Sequence, residues 1–477
     1  MLLYVPLQSP GWGEEYRNIP GLIHLDSTIS GGEFSPDELV KKARDNGFRI
    51  VVITDHDTNY WEYGLQPLRK IVKKSMERGS ILNYGPERYL EIFQQLKKIY
   101  PDVVSIHAAE AIPFYYWEGS YFQKNLVMRN GHKHLLIIGL NTASDYKNLP
   151  SVGNGFPRKF TWFDLLGLWP MVFIIWAVRL LFLRKRALGA KQLEPVYSRP
   201  YKWIGVVLLL VGILFLYNNY PFSRPVIDQY QGDQGITPYQ MLIDYVNEKN
   251  GLVFWAHPET HQYRTINGIN LLTEPYYLDL LRAKNYTGFA VFWEGNLFIG
   301  KPGGIWDQIL KEYCDGKRNK PIWAIAEAEY ESNSFPIKGS QTIFLLRELN
   351  RDSVLDALGK GKMYAVCGPG GDPLSLETFT VQDTAKKKKG IMGEELSLSL
   401  PVLISIGISD PSIHKLPYTI KLIRNGEVIK TFFGHDQTTI EYEDTYCKVG
   451  EKVYYRLEIE GKSKIISNPI FVRFVAL

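Results

Sequence analysis

GLIHLDSTISGGEFSPDELVKKARDNGFRIVVITDHDT, residues 21–58, ends one apolar run on His24 and Asp26 and another on Asp55, His56 and Asp57. Between them Ser35 can cap a helix, Pro36 fits its first position, and Glu38 stands three after the cap, the pattern of a capping box. Leu39, Val40 and Ala43 give that helix a buried stripe, and Gly47 is placed to end it. FRIVVIT has no polar alternation, as expected of a strand buried on both faces in a parallel sheet. The segment is therefore a strand–helix–strand unit whose polar ends meet at the carboxyl ends of its strands, where sites form in α/β folds.

The same unit repeats outward. PERYLEIFQQLKKIY is helical and leads to the strand VVSIHAAEAI; HKHLLIIGL is another strand with its polar residues at the entry. Further along, TPYQMLIDYVNEKN leads to LVFWAHPE, YLDLLRAKN to GFAVFWEGN, WDQILKEYCDGK to PIWAIAEAEYES, and DSVLDALGKGKMYAVCG gives a last helix and strand. Beyond Gly370 the texture changes to short alternating strands joined by Asn-Gly and Glu-Gly turns, which predicts an all-β sandwich.

Two apolar segments interrupt this alternation: WFDLLGLWPMVFIIWAVRLLFL (162–183) and WIGVVLLLVGILFLY (203–217). Each approaches the roughly 17–25 residues that span a bilayer and carries interfacial Trp or Tyr; two core helices of a soluble domain are the alternative. Asp164 and Arg179 are expected at the interface, as snorkelling residues. The connecting loop 184–202 holds Arg184, Lys185, Arg186, Lys191, Arg199 and Lys202 against Glu194. The positive-inside rule places it in the cytoplasm and both flanks on the periplasmic or extracellular side. Residues 1–160 carry no export signal, so the expectation is a chain that begins earlier, LLYVPL ending another membrane helix. The predicted organisation is an N-terminal segment 1–18, an α/β domain at 19–160 and 222–368, a membrane hairpin at 161–221, and a β-sandwich at 369–477.

With 45% hydrophobic and 22% charged residues and a net charge of +5 over 477 residues, the chain is a folded protein that nothing marks as a nucleic-acid binder. The basic run Lys386–Lys389 is expected to be a solvated loop. Cys314, Cys367 and Cys447 are too scattered for a disulfide framework or a thiolate zinc site. Seven of the nine histidines fall between His24 and His261, leaving His414 and His435, so a metal or acid–base site belongs to the first two-thirds of the chain.

Imidazoles and carboxylates at several strand ends are what a multinuclear divalent site needs. Neutral imidazole donates a lone pair, and bridging carboxylates offset repulsion between adjacent cations. The pattern H-L-D-S…S-P-D-E-L…I-T-D-H-D, followed by Glu110, His134, Ala256-His257-Pro258 and a late acidic pair, resembles the PHP (polymerase and histidinol phosphatase) superfamily of metal-dependent phosphoesterases. The resemblance covers residues 19–140 and 237–368 and implies a distorted (βα)7 barrel; a C-terminal β-sandwich also occurs among bacterial members. It implies divalent ions (Mn, Fe, Mg or Zn), two or three in number. His24, Asp26, Glu110 and Glu329 would hold one, Glu110, His134 and His257 a second, and His56 with Glu331 a third. His56 and Asp55 would assist catalysis.

Three positions depart from the family pattern. Asp26 and Glu331 stand where imidazoles are usual, and Gly31 where many members carry Asp. The donor set is richer in oxygen, which favours Mn²⁺, Mg²⁺ or Fe²⁺ over Zn²⁺. His132 competes with His134, Glu327 with the later acids, and Asp57 and His107 are expected to be supporting or structural. The expectation is a hydrolase integral to the cell membrane, acting on a phosphoester or similar small molecule; the alternative is a decayed barrel serving as an envelope scaffold.

Overall fold

The computed structural model describes residues 16–183, 185–187, 196–199, 201–334, 336–384, 388–413 and 415–476. Residues 1–15 with their LLYVPL run, most of the basic loop 184–202, the start of the Lys386–Lys389 run and His414 lie outside the described residues. The chain divides into two compact units, one holding the residues up to Asn59, Arg78–Val152 and those from Gln229 onward, the other Tyr60–Glu77 and Gly153–Asp228. The inclusion of 60–77 in the second unit has no counterpart in the sequence pattern.

In the first unit seven short strands stand side by side: β1 (Arg17–Leu25), β2 (Ile50–Ile53), β3 (Val104–Ala111), β4 (Leu135–Ile138), β5 (Leu252–Trp255), β6 (Gly288–Phe292) and β7 (Trp323–Ala326). β1, β2 and β3 run parallel, as do β5, β6 and β7. β4 is antiparallel to both its neighbours, β3 and β5. That reversal brings the entry of β4, with its polar residues, beside the carboxyl ends of the others. The segment after β7 returns to β1: Ala328 N donates to Ile23 O (2.7 Å) and Tyr330 N to His24 O (3.1 Å).

The helices follow their sequence signals. Pro36–Asp45 begins at Ser35 with both hydrogen bonds of the capping box and buries Leu39, Val40 and Ala43. Pro86–Ile99, Thr237–Glu248, Ile305–Cys314 and Arg351–Lys360 occupy the other helical stretches. On its other flank β1 pairs with β8 (Ser340–Leu346), then β9 (Met363–Cys367), and β9 pairs with residues 464–467. The C-terminal region is rich in sheet. Strands 418–424, 427–434, 452–460 and 464–467 continue this large sheet, a second sheet joins 375–383, 389–391, 402–409 and 438–444, and one apolar cluster draws on both.

His107 lies on β3 an odd number of residues from Glu110, hence on the opposite face of the strand. Its Nδ1 meets the Tyr146 hydroxyl at 2.8 Å and its ring packs edge-on against Phe93. Burial, reinforced by Arg351, pushes its pKa down to about 4. Stability tied to the neutral ring is complete above the ordinary value and is lost as pH falls through that window. Going from about pH 7 to about pH 5 therefore costs about 2 kcal/mol through this residue. Urea denaturation at both pH values should show a smaller loss for His107→Gln; an identical loss rejects the assignment.

In the second unit two helical segments, Trp162–Phe182 and Lys202–Asn219, are long and apolar enough to cross a membrane. The first opens with a 3₁₀ segment, Trp162–Leu168, whose Asp164 accepts from Thr161 and pairs with Arg224. Gly205 and Gly212 face Leu181 and Ile174 so closely that a Cβ would collide, the small-residue contact that lets apolar helices approach. Their outward side chains are open: Phe163 is 82% and Trp203 76% exposed. These are therefore not core helices of the described fold.

Candidate metal centre

Glu110, next to last on β3, is the hub. Its Oε1 lies 3.3 Å from His24 Nε2 and 3.6 Å from His257 Nε2 and contacts His134 Nδ1; its Oε2 lies 3.5 Å from His56 Nε2. The four rings arrive from different directions. His24 is next to last on β1, His56 follows β2 and bridges to Glu110, His134 precedes the reversed β4, and His257 follows β5. Burial opposes the Glu110 charge, but the imidazoles of His134, His24 and His56 outweigh it and hold the carboxyl well below its usual range.

Other side chains orient these donors. Glu327, directly after β7, is fully buried; its Oε2 meets His24 Nδ1 at 3.0 Å and its Oε1 accepts from the His257 backbone N–H at 2.8 Å. The Tyr276 hydroxyl gives its single proton to the Ala256 carbonyl, so its 3.2 Å contact with His257 Nδ1 has the ring N–H as donor. In the neutral ring this leaves the lone pair on His257 Nε2, a buried atom with no hydrogen-bond partner that lies 3.6 Å from Glu110 Oε1; His56 Nδ1 is also unpartnered. Buried polar atoms are normally paired. Orphaned nitrogens around a carboxylate hub fit a divalent cation, and an imidazole whose far N–H is held by a carboxylate or hydroxyl is how proteins present such ligands.

The electrostatics agree. Asp26, buried beside His24 and Glu110, is pushed well above its usual range by burial and by Glu110. Glu329 rises to about 6 by burial, with His257 opposing. Burial alone would lower His24 and His257, yet Glu110 and Glu327 draw His24 well up, and the same carboxylates with Glu329 bring His257 to about 9. Asp26, Glu329, His24 and His257 are thus all shifted toward their protonated forms, and a divalent ion would displace protons from donors of this kind. His56 goes the other way: burial lowers it to about 4 against the pull of Glu110.

Asp55 and Glu331 stand apart from the hub. Asp55 accepts from Ser27 N (2.8 Å), from the Ser27 hydroxyl and from the Ser30 hydroxyl (2.6 Å), and so fastens the turn that follows Asp26. Glu331 is exposed, and its backbone carbonyl accepts from Glu33 N. At Gly31 an added Cβ would meet nothing within 4 Å, but φ is +126°, a conformation that favours glycine. Asp57 is buried, accepts from the Ser151 hydroxyl, and is raised to about 7 by burial.

Backbone conformation marks the site independently. Among the described residues ten non-glycine residues have positive φ; five are Asn, one Asp and one Lys, and the other three are His24 (71°), His257 (26°) and Glu329 (44°). Left-handed backbone is strained for such side chains and gathers at functional sites. Residues the sequence pattern undervalued are Glu327, Tyr276 and His132. Glu327 shares the two-residue spacing of Glu329 and Glu331 and could have been preferred as the acid nearest the strand.

No family model and no curated protein matches this chain. Among solved structures it is similar to a two-domain protein from Bacteroides vulgatus containing a predicted PHP-like metal-dependent phosphoesterase. The match has 10% identity and a TM-score of 0.36, over 96% of this chain and 94% of that one. A candidate metal-dependent phosphoesterase from Bifidobacterium adolescentis shares 15% identity over 66% of this chain and 89% of its own, at a TM-score of 0.29. An amidohydrolase from Chromobacterium violaceum shares 13% over 66% and 88%, at 0.26. Scores this low leave the site to be judged on this chain's own residues.

Proposed function

We propose that the protein is a membrane-anchored, metal-dependent phosphoesterase built on a distorted (βα)7 barrel with a C-terminal β-sandwich. The observation that carries the reading is the Glu110 hub with imidazoles from four strand ends around it. The return of residues 328–330 onto β1 supports closure of the seven strands.

In this reading His24, Asp26, Glu110 and Glu329 would hold one divalent ion and Glu110, His134 and His257 another, with His56 beside them. A divalent ion held there would supply Lewis acidity and would make water a better nucleophile. The chain supplies the rest. Glu110 sets the spacing of the donors, Glu327 and Tyr276 fix which nitrogen each imidazole offers, and Asp55 holds the turn after Asp26. Burial lowers His56 to about 4, which keeps the ring neutral near pH 7 but makes it a weak proton acceptor, so in this reading it serves as a neutral donor beside the ions. Asp55, fully engaged by serine donors, serves better as a positioning group than as the base.

The exposed apolar helices and the basic loop between them support an anchor with that loop in the cytoplasm. The test is metal content of the purified full-length protein together with turnover of a phosphomonoester and a phosphodiester in Mn²⁺. Bound metal with turnover supports the enzyme. Absence of both leaves the scaffold alternative. Reagent accessibility of a cysteine introduced in loop 184–202 decides the orientation.

A further inference from the structure

We infer that His132 joins His134 and His257 to form a nitrogen-rich cation position whose metal preference differs from that of the oxygen-rich position at His24, Asp26 and Glu110. This deepens the metal-centre reading and rests on it. One ligand atom from each of the three histidines lies within 4.8 Å of the other two, and the same holds separately for His24, Asp26 and Glu110. The His132 and His257 rings are nearly parallel with centroids 4.4 Å apart, and both meet His134 at steep angles, 4.7 and 5.1 Å away.

The placement of His132 is built rather than incidental. Its backbone N–H donates to the Thr273 hydroxyl at 3.0 Å. Its neighbour Lys133 is buried, pairs with Asp279, and lies 4.1 Å over the Tyr239 ring and 5.4 Å from that of Tyr276. This anchor fixes the turn before β4 and leaves the flanking His132 and His134 with His257. The buried Nε2 of His257, 3.6 Å from Glu110 Oε1 and without a hydrogen-bond partner, is the ring atom left for a ligand.

Donor chemistry then separates the two positions. Imidazoles suit Zn²⁺, Co²⁺, Ni²⁺ and Cu²⁺, whereas carboxylate-rich sites suit Mn²⁺ and Mg²⁺. Three imidazoles with one further place, here beside the shared carboxylate of Glu110, are also a recurrent zinc arrangement. The oxygen-rich preference expected from the sequence thus applies to one position and not to its neighbour, and a mixed-metal centre follows.

The full-length protein in detergent, stripped by chelation, is titrated with Co²⁺ and with Mn²⁺, with bound metal measured and the visible cobalt spectrum recorded. Wild type should take up Mn²⁺ at one position and Co²⁺ at a second, with a nitrogen-ligated spectrum. His132→Ala and the milder His132→Asn should each weaken the Co²⁺ step at least about 10-fold and alter its spectrum, leaving Mn²⁺ uptake unchanged. Wild-type Co²⁺ affinity and spectrum in both variants overturns the inference while the metal centre stands. A wild-type protein that binds Mn²⁺ but has no distinct Co²⁺ step does the same. No uptake of either ion rejects the metal-centre reading and this inference with it.

Discussion

Glu110→Ala is expected to remove bound divalent metal and to lower phosphoester turnover by roughly 10³-fold or more, the equivalent of several kcal/mol of lost Lewis-acid assistance. The size of the effect follows from sharing. Glu110 stands within 3.6 Å of nitrogens on His24, His56 and His257 and contacts His134, so one truncation takes a donor from both proposed ion positions. It also removes the charge that offsets repulsion between neighbouring cations. Glu110→Gln keeps the volume but not the charge, and separates the electrostatic effect from a packing defect. Metal analysis and turnover are read together, with circular dichroism to show that the variants are folded. Either variant retaining wild-type metal content would remove Glu110 from the centre of the site.

Replacing Arg456 by Leu is expected to destabilise the first unit by about 3–5 kcal/mol, the cost of leaving one member of a buried ion pair alone. Arg456 is fully buried; its Nε lies 2.7 Å from Asp307 Oδ1 and its Nη2 2.6 Å from Asp307 Oδ2. The guanidinium also stacks 5.0 Å from the Trp306 ring. Burial disfavours its charge, and Asp307 more than compensates, holding the guanidinium protonated. Asp307 is not wholly dependent on Arg456, since it accepts from Gly303 N and the Tyr454 hydroxyl, both at 2.8 Å. The double variant Asp307→Asn, Arg456→Met should therefore recover much of the loss, because no unpaired charge remains. Chemical denaturation of the three proteins decides it. A single variant as stable as wild type would show that the pair contributes nothing net.

Much of the fold was legible because local chemistry and tertiary packing agree. Ser35, Pro36 and Glu38 announce a helix start, and the start is there with its capping box. IVVI announces a strand buried on both faces, and every residue of β2 is buried. What local pattern could not show was direction. Nothing in HKHLLIIGL tells whether the strand runs with or against its neighbours, yet only its reversal brings His132 and His134 to the carboxyl ends of the parallel strands. The rule that alternate residues share a face could not choose between those two histidines. They precede the strand, which starts at Leu135, and both meet His257. Glu327 escaped for a related reason: its importance lies in reaching His24 and the His257 backbone, two contacts more than 65 residues distant in sequence.

The left-handed backbone at His24, His257 and Glu329 bears on the stability of this chain. Strain of that kind costs on the order of 1–3 kcal/mol per residue, and a glycine or asparagine at each place would relieve most of it. Five of the other seven such positions here are asparagine. In the metal-centre reading, stability and donor chemistry pull in opposite directions at these three positions.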